Sequence, residues 1–169
     1  GTVPNMFATL PYLKAFVVTE NSLSGNVPPS LCLAPNLALV NMSFNRLEGA
    51  LHLINCSSLV YLYLNNNRLS SFQAYSLSNL RFLDISDNRL SGTISPLTSS
   101  LSKLHSADLS NNRLYGTIPS EWLNLNMSVY YLDVSNNKLT GDPFLLLTLP
   151  YLQYLNLSTN HFSSWDTLY

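Results

Sequence analysis

Apolar residues recur at a fixed spacing around one Asn in each of seven successive segments of the chain. The positions eight, five and three residues before that Asn, and two residues after it, are apolar in every segment, which makes 28 positions. A period of 21 to 25 residues indicates a repeat architecture in which each copy packs against its neighbours. The seven anchoring residues are Asn21, Asn45, Asn67, Asn88, Asn112, Asn137 and Asn160.

The residues just before each Asn predict a short strand. In the pattern LxL, as at Leu83, Asp84 and Ile85, the two apolar side chains point to one side and the middle one to the other. Strands of successive copies are expected to stack in parallel about 4.8 Å apart, which gives an open sheet of seven strands. The Asn that follows is expected to turn inward, where its amide can pair with backbone groups that the turn leaves unpaired. Asn112 is therefore interpreted as scaffold.

A second motif, G-x-I-P or G-x-V-P, follows several of the strands. "GNVP" at residues 25–28 and "GTIP" at residues 116–119 match it, "GTIS" at residues 92–95 nearly does, and Ser71 and Ser164 replace the Gly in the third and seventh copies. The whole pattern, LxxLxLxxNxLxG, resembles the leucine-rich repeat, and the GxIP copies resemble its plant-type subclass. This resemblance implies an α/β solenoid: a right-handed superhelix with a parallel concave sheet of about seven short strands and an irregular or short-helical convex side.

Both ends of the chain fall inside a repeat. "GTVP" at residues 1–4 matches the tail of a copy whose Asn precedes residue 1, and residues 165–169 break off within the last copy. Neither end supplies a capping segment with a polar outer face. We therefore expect residues 1–169 to be a single array and a fragment of a longer one that lacks both caps.

Charge and hydropathy narrow the class of partner. Eight basic and nine acidic residues leave a net charge of −1, so the chain has no excess of positive charge that would indicate binding to nucleic acid. The most apolar run, residues 144–155, is too short to span a bilayer and is broken by Pro150 and Gln153, so no membrane insertion is expected within this segment. Charged residues make up only 10% of the chain, which is typical of a secreted repeat protein and predicts an extracellular or cell-surface location.

The sequence contains no motif that indicates enzymatic chemistry. There is no G-x-S-x-G, no Gly-rich phosphate loop and no C-x-x-C pair, and His52, His105 and His161 occupy different places in their copies. Three Asp align with one another on neighbouring strands, but no loop beside them could wrap around a cation. We expect a non-catalytic protein with no cofactor and no metal site.

Two features bear on the compartment, and the first is a set of Asn-x-Ser sequons. Asn55 and Asn126 lie between strands and are the favoured glycosylation sites, whereas Asn41 and Asn156 lie within strands, where a glycan would obstruct the concave face. The second is the pair Cys32 and Cys56, which lie 13 and 11 residues before their Asn.

The two Cys allow two interpretations. "NCSSL" at residues 55–59 resembles a plant-type segment in which the Cys faces the core, which favours buried thiols. The alternative is a disulfide between adjacent copies, against which the two-residue offset argues because it misaligns the Cβ vectors. The sequence leaves both open.

The concave face is the candidate binding surface, because each repeat position becomes a row of side chains down the sheet. Exposed aromatic residues are enriched at binding hot spots and stack well on sugars or peptide side chains. The three Asp have a structural alternative, since the Ser in "LDxS" can bond the Asp locally. The candidate ligand-binding residues are Tyr61, Tyr63, Phe82, Asp84, Asp108, Tyr131, Asp133 and Tyr154.

We interpret the chain as an extracellular recognition module that binds a protein, peptide or glycan on its concave face. The resemblance implies that its relatives are receptor-like ectodomains and polygalacturonase-inhibitor-like proteins. One alternative is a structural cell-surface or matrix glycoprotein in which the array is a spacer or associates laterally. Another is a cytosolic protein-binding scaffold.

Overall fold

A computed structural model describes residues 1–94, 101–123 and 129–163, and it has the predicted solenoid architecture. Three-residue strands, one from each repeat, pair in parallel into a continuous sheet of seven strands within the described residues. This is the concave sheet, and it confirms the strand positions predicted from the LxL pattern. Its strands are β1 (Ala15–Val17), β3 (Leu39–Asn41), β5 (Tyr61–Tyr63), β7 (Phe82–Asp84), β9 (Ser106–Asp108), β11 (Tyr131–Asp133) and β13 (Tyr154–Asn156), in that order.

A second row of strands, which the sequence reasoning missed, follows the Asn of each repeat. Three strands form one sheet, namely β2 (Ser24–Gly25), β4 (Arg46–Ile54) and β6 (Arg68–Tyr75). Four more form another, namely β8 (Ser91–Thr93), β10 (Arg113–Gly116), β12 (Lys138–Gly141) and β14 (His161–Phe162). An available signal was the alternation in "LHLI", where Leu51 and Leu53 are buried while His52 and Ile54 are exposed.

The convex side carries short 3₁₀ helices, in agreement with the expected short-helical outer side. They span Phe7–Thr9, Pro29–Leu33, Ser120–Leu123 and Phe144–Thr148. The third begins directly after Pro119, whose carbonyl accepts a hydrogen bond from the Trp122 N–H at 3.0 Å. Proline has a fixed φ and no N–H, so it suits this entry position. In the described ranges, no helix is long and apolar enough to cross a membrane.

The core is the continuous stack of the repeated apolar positions. All four positions are buried in the second to sixth repeats, and all four are partly buried in the first and seventh. An inner repeat packs on two neighbours and an outer one on a single neighbour, which accounts for this gradient. Leu62, Leu64 and Leu69 of one repeat are fully buried, and each such side chain stabilises the fold by roughly 1.5–3 kcal/mol.

The repeated Asn residues form a hydrogen-bonded column that we call the Asn ladder. The Asn112 amide nitrogen donates to the carbonyls of Ile85, Leu109 and Ser110 at 3.0, 3.2 and 3.0 Å. Its Oδ1 accepts the backbone N–H of Leu90 at 2.9 Å. These contacts reach both its own copy and the preceding one, so the amide joins two repeats. The same set occurs at Asn45, Asn67, Asn88, Asn137 and Asn160, which confirms the inward-amide prediction for these copies. Asn21 differs, because it is exposed and its amide bonds only Val18 and Thr19 of its own copy.

The residue before each Asn has a left-handed backbone conformation. Its φ lies between 51° and 56° in every repeat, although the residue type varies. Asn tolerates this region, whereas bulky and β-branched side chains adopt it at a cost. The sharp turn at the end of each concave strand therefore depends on a conformation that the sequence does not always favour. The seven residues are Glu20, Phe44, Asn66, Asp87, Asn111, Asn136 and Thr159.

A disulfide joins Cys32 to Cys56, and the favoured interpretation of buried free thiols was wrong. The two Cα atoms lie 4.5 Å apart in consecutive repeats. Cys32 lies in the 3₁₀ helix Pro29–Leu33, whereas Cys56 comes just after β4. Counted from the preceding ladder residues, Asn21 and Asn45, both Cys lie 11 residues on, so the two-residue offset falls after Cys32 and does not separate the pair.

Candidate functional site

The candidate binding residues align in two rows across the concave sheet, as the repeat register predicts. The first row consists of Ala15, Leu39, Tyr61, Phe82, Ser106, Tyr131 and Tyr154. The second consists of Val17, Asn41, Tyr63, Asp84, Asp108, Asp133 and Asn156. Members of one row are cross-strand neighbours, so their side chains lie one strand spacing apart on the same face.

The aromatic members of the first row pack against each other in two face-to-face stacks. Tyr61 and Phe82 have ring centroids 5.0 Å apart and planes within 6° of parallel. Tyr131 and Tyr154 have centroids 4.5 Å apart and planes within 5°. Such pairs contribute about 0.5–1.5 kcal/mol beyond the area they bury. We call Tyr61, Phe82, Tyr131 and Tyr154 the aromatic column.

Tyr63, in the second row, lies beside this column. Its ring centroid is 6.5 Å from that of Tyr61, with the planes tilted by 31°. Burial raises the pKa of the Tyr63 phenol, with Tyr61 and Asp84 adding to the effect. Burial, followed by the carboxylates of Asp108 and Asp133, raises the pKa of Tyr131 to about 12. Both phenols are therefore neutral at physiological pH and can donate hydrogen bonds.

Asp84 and Asp108 each bind the Ser two residues ahead. The Ser86 N–H and hydroxyl donate to Asp84 Oδ1 at 3.1 and 2.7 Å, and Ser110 donates to Asp108 Oδ1 at 3.0 and 2.6 Å. Burial raises the pKa of both carboxyls, against the opposite influence of these hydrogen bonds. The local bond anticipated for "LDxS" therefore forms, and it occupies one oxygen of each carboxyl group.

Asp133 differs from the other two because it is buried, with 7% exposure. Its Oδ1 accepts the Ser135 N–H at 2.9 Å, and its Oδ2 accepts from the Asn156 amide at 3.0 Å and the Tyr154 hydroxyl at 3.5 Å. Both oxygens are engaged inside the protein. Asp133 therefore affects the concave surface indirectly, because its hydrogen bonds hold Asn156 and Tyr154 in place.

His105 and Tyr130 are part of this surface, although the sequence reasoning did not select them. They lie directly before the first-row residues of β9 and β11. The His105 ring is 6.2 Å from Phe82 and 6.4 Å from Tyr130, so it connects the aromatic column to a second aromatic group. Its Nδ1 is buried and has no hydrogen-bond partner in the described part of the chain. Both lie just outside the strands, where the alternation of side chains no longer assigns a face, so the sequence carried no signal for them.

A shallow depression lies at the N-terminal end of the same face. It has a volume of about 340 Å³, and Tyr63 connects it to the aromatic column. Phe44, at one of the left-handed positions, contributes an exposed ring to it. The lining residues are Thr19, Glu20, Asn41, Ser43, Phe44, Tyr63 and Asn65.

The sequons differ in how freely their amides face solvent. Asn55 is exposed at a left-handed turn directly after β4, away from the concave sheet. Asn41 and Asn156 are half-buried in concave strands, and the Asn156 amide nitrogen, which a glycan would modify, already donates to Asp133. Asn126 lies outside the described residues. Asn55 remains the best-placed of the described candidates.

Comparison with known proteins identifies the repeats. The Leucine Rich Repeat family model matches residues 58–80, 79–101 and 103–125. Receptor like protein 24 of Arabidopsis thaliana is 31% identical over 166 residues, covering 94% of this chain and 19% of that protein. The chain thus spans about a fifth of the length of this curated relative.

Solved structures give the same result for the fold. The ectodomain of the Arabidopsis receptor kinase HAESA, in complex with an N-terminally extended IDA peptide hormone ligand, is 30% identical with a TM-score of 0.82. The match covers 96% of this chain and 28% of that one. The ectodomain of the Arabidopsis thaliana receptor kinase GASSHO1/SCHENGEN3, in complex with CASPARIAN STRIP INTEGRITY FACTOR 2, is 28% identical with a TM-score of 0.81, covering 96% of this chain and 20% of that one. The chain is therefore a leucine-rich repeat protein with the fold of plant receptor ectodomains.

Proposed function

We propose that this array is a non-catalytic, extracellular recognition module that binds a peptide along its concave sheet. The observation that carries the proposal is the aromatic column. Its rings stack in pairs on a surface that faces away from the core, and Tyr154 is 44% exposed. Rigid aromatic groups of this kind supply a large contact area at low entropic cost.

The choice of a peptide over a protein or glycan rests on similarity. The HAESA ectodomain, which shares this fold, was solved with a peptide hormone ligand. A peptide fits a row of cross-strand side chains because an extended chain can contact several strands in succession. The neutral phenols of Tyr63 and Tyr131 would supply hydrogen-bond donors along that path.

The extracellular part of the proposal rests on the disulfide. Disulfides form and persist in oxidising compartments, and Cys32–Cys56 lies within the array itself. Similarity to receptor-like proteins points the same way. Glycopeptide mass spectrometry of the protein from its native source tests this directly. Glycan on Asn55 supports a secreted chain, and glycan on Asn41 or Asn156 favours the matrix or spacer alternative.

The binding part is tested by removing one aromatic stack. A random peptide library displayed on phage is selected on the wild-type protein, and the recovered peptides are measured as synthetic probes by fluorescence anisotropy. The double change Tyr131→Ala and Tyr154→Ala should weaken binding by at least about tenfold, since hot-spot aromatics commonly contribute 2 kcal/mol or more. The free energy of unfolding should fall by only about 1–2 kcal/mol, mainly the value of the lost stack.

The matched control is the double change Tyr12→Ala and Tyr115→Ala. Both side chains are exposed, at 88% and 51%, and neither belongs to the concave sheet. This control should bind the probes as the wild type does. Equal affinity of the Tyr131 and Tyr154 variant and the wild type would sink the proposed surface.

A further inference from the structure

The aromatic column is interrupted at one position. Ser106 pairs with Phe82 on one side and with Tyr131 on the other, so a small side chain stands between the two stacks. Strands on both sides carry aromatic rings at this register, and β9 does not. The result is a notch with Ser106 as its floor and the rings of Phe82 and Tyr131 as its walls.

The notch has the width of one flat ring. Phe82 and Tyr131 are two strand spacings apart, which is about 10 Å. The stacks on either side have centroid separations of 5.0 and 4.5 Å. A single ring above Ser106 would therefore lie at stacking distance from both walls and would make the column continuous from Tyr61 to Tyr154.

The rim of the notch carries negative charge. Asp108 follows Ser106 by two residues on the same face of β9, and Asp84 is its cross-strand neighbour. The hydrogen bonds from Ser86 and Ser110 go to Oδ1 of these carboxyls, and the Oδ2 atoms have no hydrogen-bond partner among the described residues. A cationic group beside the inserted ring would find two carboxylates within reach.

We propose that this notch takes one aromatic side chain of a peptide that carries a Lys or Arg next to it. The inference rests on the proposed function, because it names the ligand residue that the concave face selects. A flat ring matches the stacking distance that the column already shows. A neutral sugar could donate hydroxyls to the two carboxylates but brings no opposite charge, so an aromatic residue with a basic neighbour is the better complement.

The experiment fills the notch while leaving every wall residue in place. Ser106→Tyr adds the ring that the neighbouring strands already have at this position, and Ser106 is half-buried on an open face. The matched control is Ala15→Tyr, the same addition in the same row on β1, where the side chain is exposed. Circular dichroism and thermal unfolding check that both variants fold.

The phage-displayed library is selected separately on the wild type, Ser106→Tyr and Ala15→Tyr. Peptides from the wild type and from Ala15→Tyr should be enriched in an aromatic residue beside Lys or Arg. As synthetic probes they should bind Ser106→Tyr at least about tenfold more weakly, because two ring stacks are lost. That result supports the notch.

Three other results overturn it. Probes that bind Ser106→Tyr as well as the wild type, but fail on the Tyr131→Ala and Tyr154→Ala variant, leave the concave surface in place and remove the notch. Probes without an aromatic and basic pair, unaffected by either change, remove both proposals. Binding of neutral oligosaccharides on a glycan array that Ser106→Tyr abolishes would make a sugar ring the occupant.

A second variant keeps the inference testable if Ser106→Tyr does not fold. Asp84→Asn with Asp108→Asn retains oxygens that can accept from Ser86 and Ser110 but removes the charge. Probes with Lys or Arg should lose about threefold to tenfold in affinity, while versions with Gln at that position should change little. An equal loss for both versions would contradict the role of the carboxylates.

Discussion

The Asn ladder and the aromatic column are two rows of the same repeat, and they differ in what their side chains contact. Each ladder Asn after the first bonds the backbone of its own copy and of the preceding one, and its type never changes along the chain. The rings of the aromatic column contact other side chains, in their own row and beside it, and the register position holds residues from Ala15 to Tyr154. A position that satisfies backbone groups in two repeats cannot vary, whereas one that faces away from the core can acquire a function.

The largest test of this difference is Asn112→Leu. The change removes four hydrogen bonds and leaves the Leu90 N–H without its partner, whereas the carbonyls of Ile85, Leu109 and Ser110 each keep one bond, from Asn88, Asn137 and the Asp87 N–H. At roughly 1–3 kcal/mol for the unpaired N–H and about 0.5–1.5 kcal/mol net for each of the other three bonds lost, the free energy of unfolding should fall by about 3–5 kcal/mol. Urea denaturation measures it. Asn36→Leu is the control, since its exposed amide makes one hydrogen bond, to Pro11, and should cost less than about 1 kcal/mol.

An effect on stability of similar size is expected from a feature that occurs in only one pair of repeats. Replacing Cys32 and Cys56 together by Ser removes a link across a sequence separation of 24 residues. The chain-entropy account gives a loss of about 3 kcal/mol. Non-reducing and reducing denaturation of the wild type should differ by the same amount, and an identical midpoint in the two conditions would contradict the linkage. Such a loss would demonstrate that the scaffold also depends on residues outside the repeated pattern.

The left-handed positions provide a smaller test, in which the conformation is constant and the residue varies. Thr159, with φ of 53°, is β-branched, whereas Asn136 occupies the equivalent place one repeat earlier. Thr159→Asn should stabilise the protein by about 0.5–1 kcal/mol and Asn136→Thr should destabilise it by a similar amount. Thermal unfolding of the two variants gives the sign. Shifts in the same direction for both would mean that the backbone conformation does not govern the effect.

The smallest expected effect is a change in stability with pH that comes from the carboxyls of Asp84 and Asp108. Burial raises the folded-state pKa of Asp84 and Asp108, so the folded state holds these protons more tightly than the unfolded state. Their contribution to stability is therefore present below about pH 4 and is lost as the pH rises through their folded-state pKa. The stability of Asp84→Asn with Asp108→Asn, relative to the wild type, should increase between about pH 4 and pH 7. A relative stability that stays level or declines over this range would contradict the raised pKa values.

The repeat period was sufficient to predict the concave sheet and the role of the ladder. One Asn and four apolar positions per copy determine which residues face the core, and consecutive copies then align their strands in register. The second strand row was missed because those strands vary from two residues in β2 to nine in β4, so no common pattern identifies them. The disulfide was misjudged because the offset was counted to the following Asn, whereas both Cys lie 11 residues after the preceding Asn.

The candidate site was predicted as a list of residues but not as an arrangement. Register alone places Tyr61 beside Phe82 and Tyr131 beside Tyr154. That each pair stacks face to face, and that Asp133 is buried while Asp84 and Asp108 keep an open oxygen, depends on side-chain packing that no spacing determines. Register also places Ser106 between Phe82 and Tyr131, but whether the two rings leave a notch above it depends on the same packing.

The interruption in the second strand row should make the stiffness of the solenoid uneven along its length. Its strands form two separate sheets, one ending at β6 and the other beginning at β8, while the concave sheet continues past that point. A backbone hydrogen bond from Arg89 to Leu69 crosses the break at 2.9 Å, where a continuous ladder would otherwise carry load. Under a bending force, we expect the array to bend between the third and fourth repeats, where only the concave sheet is continuous.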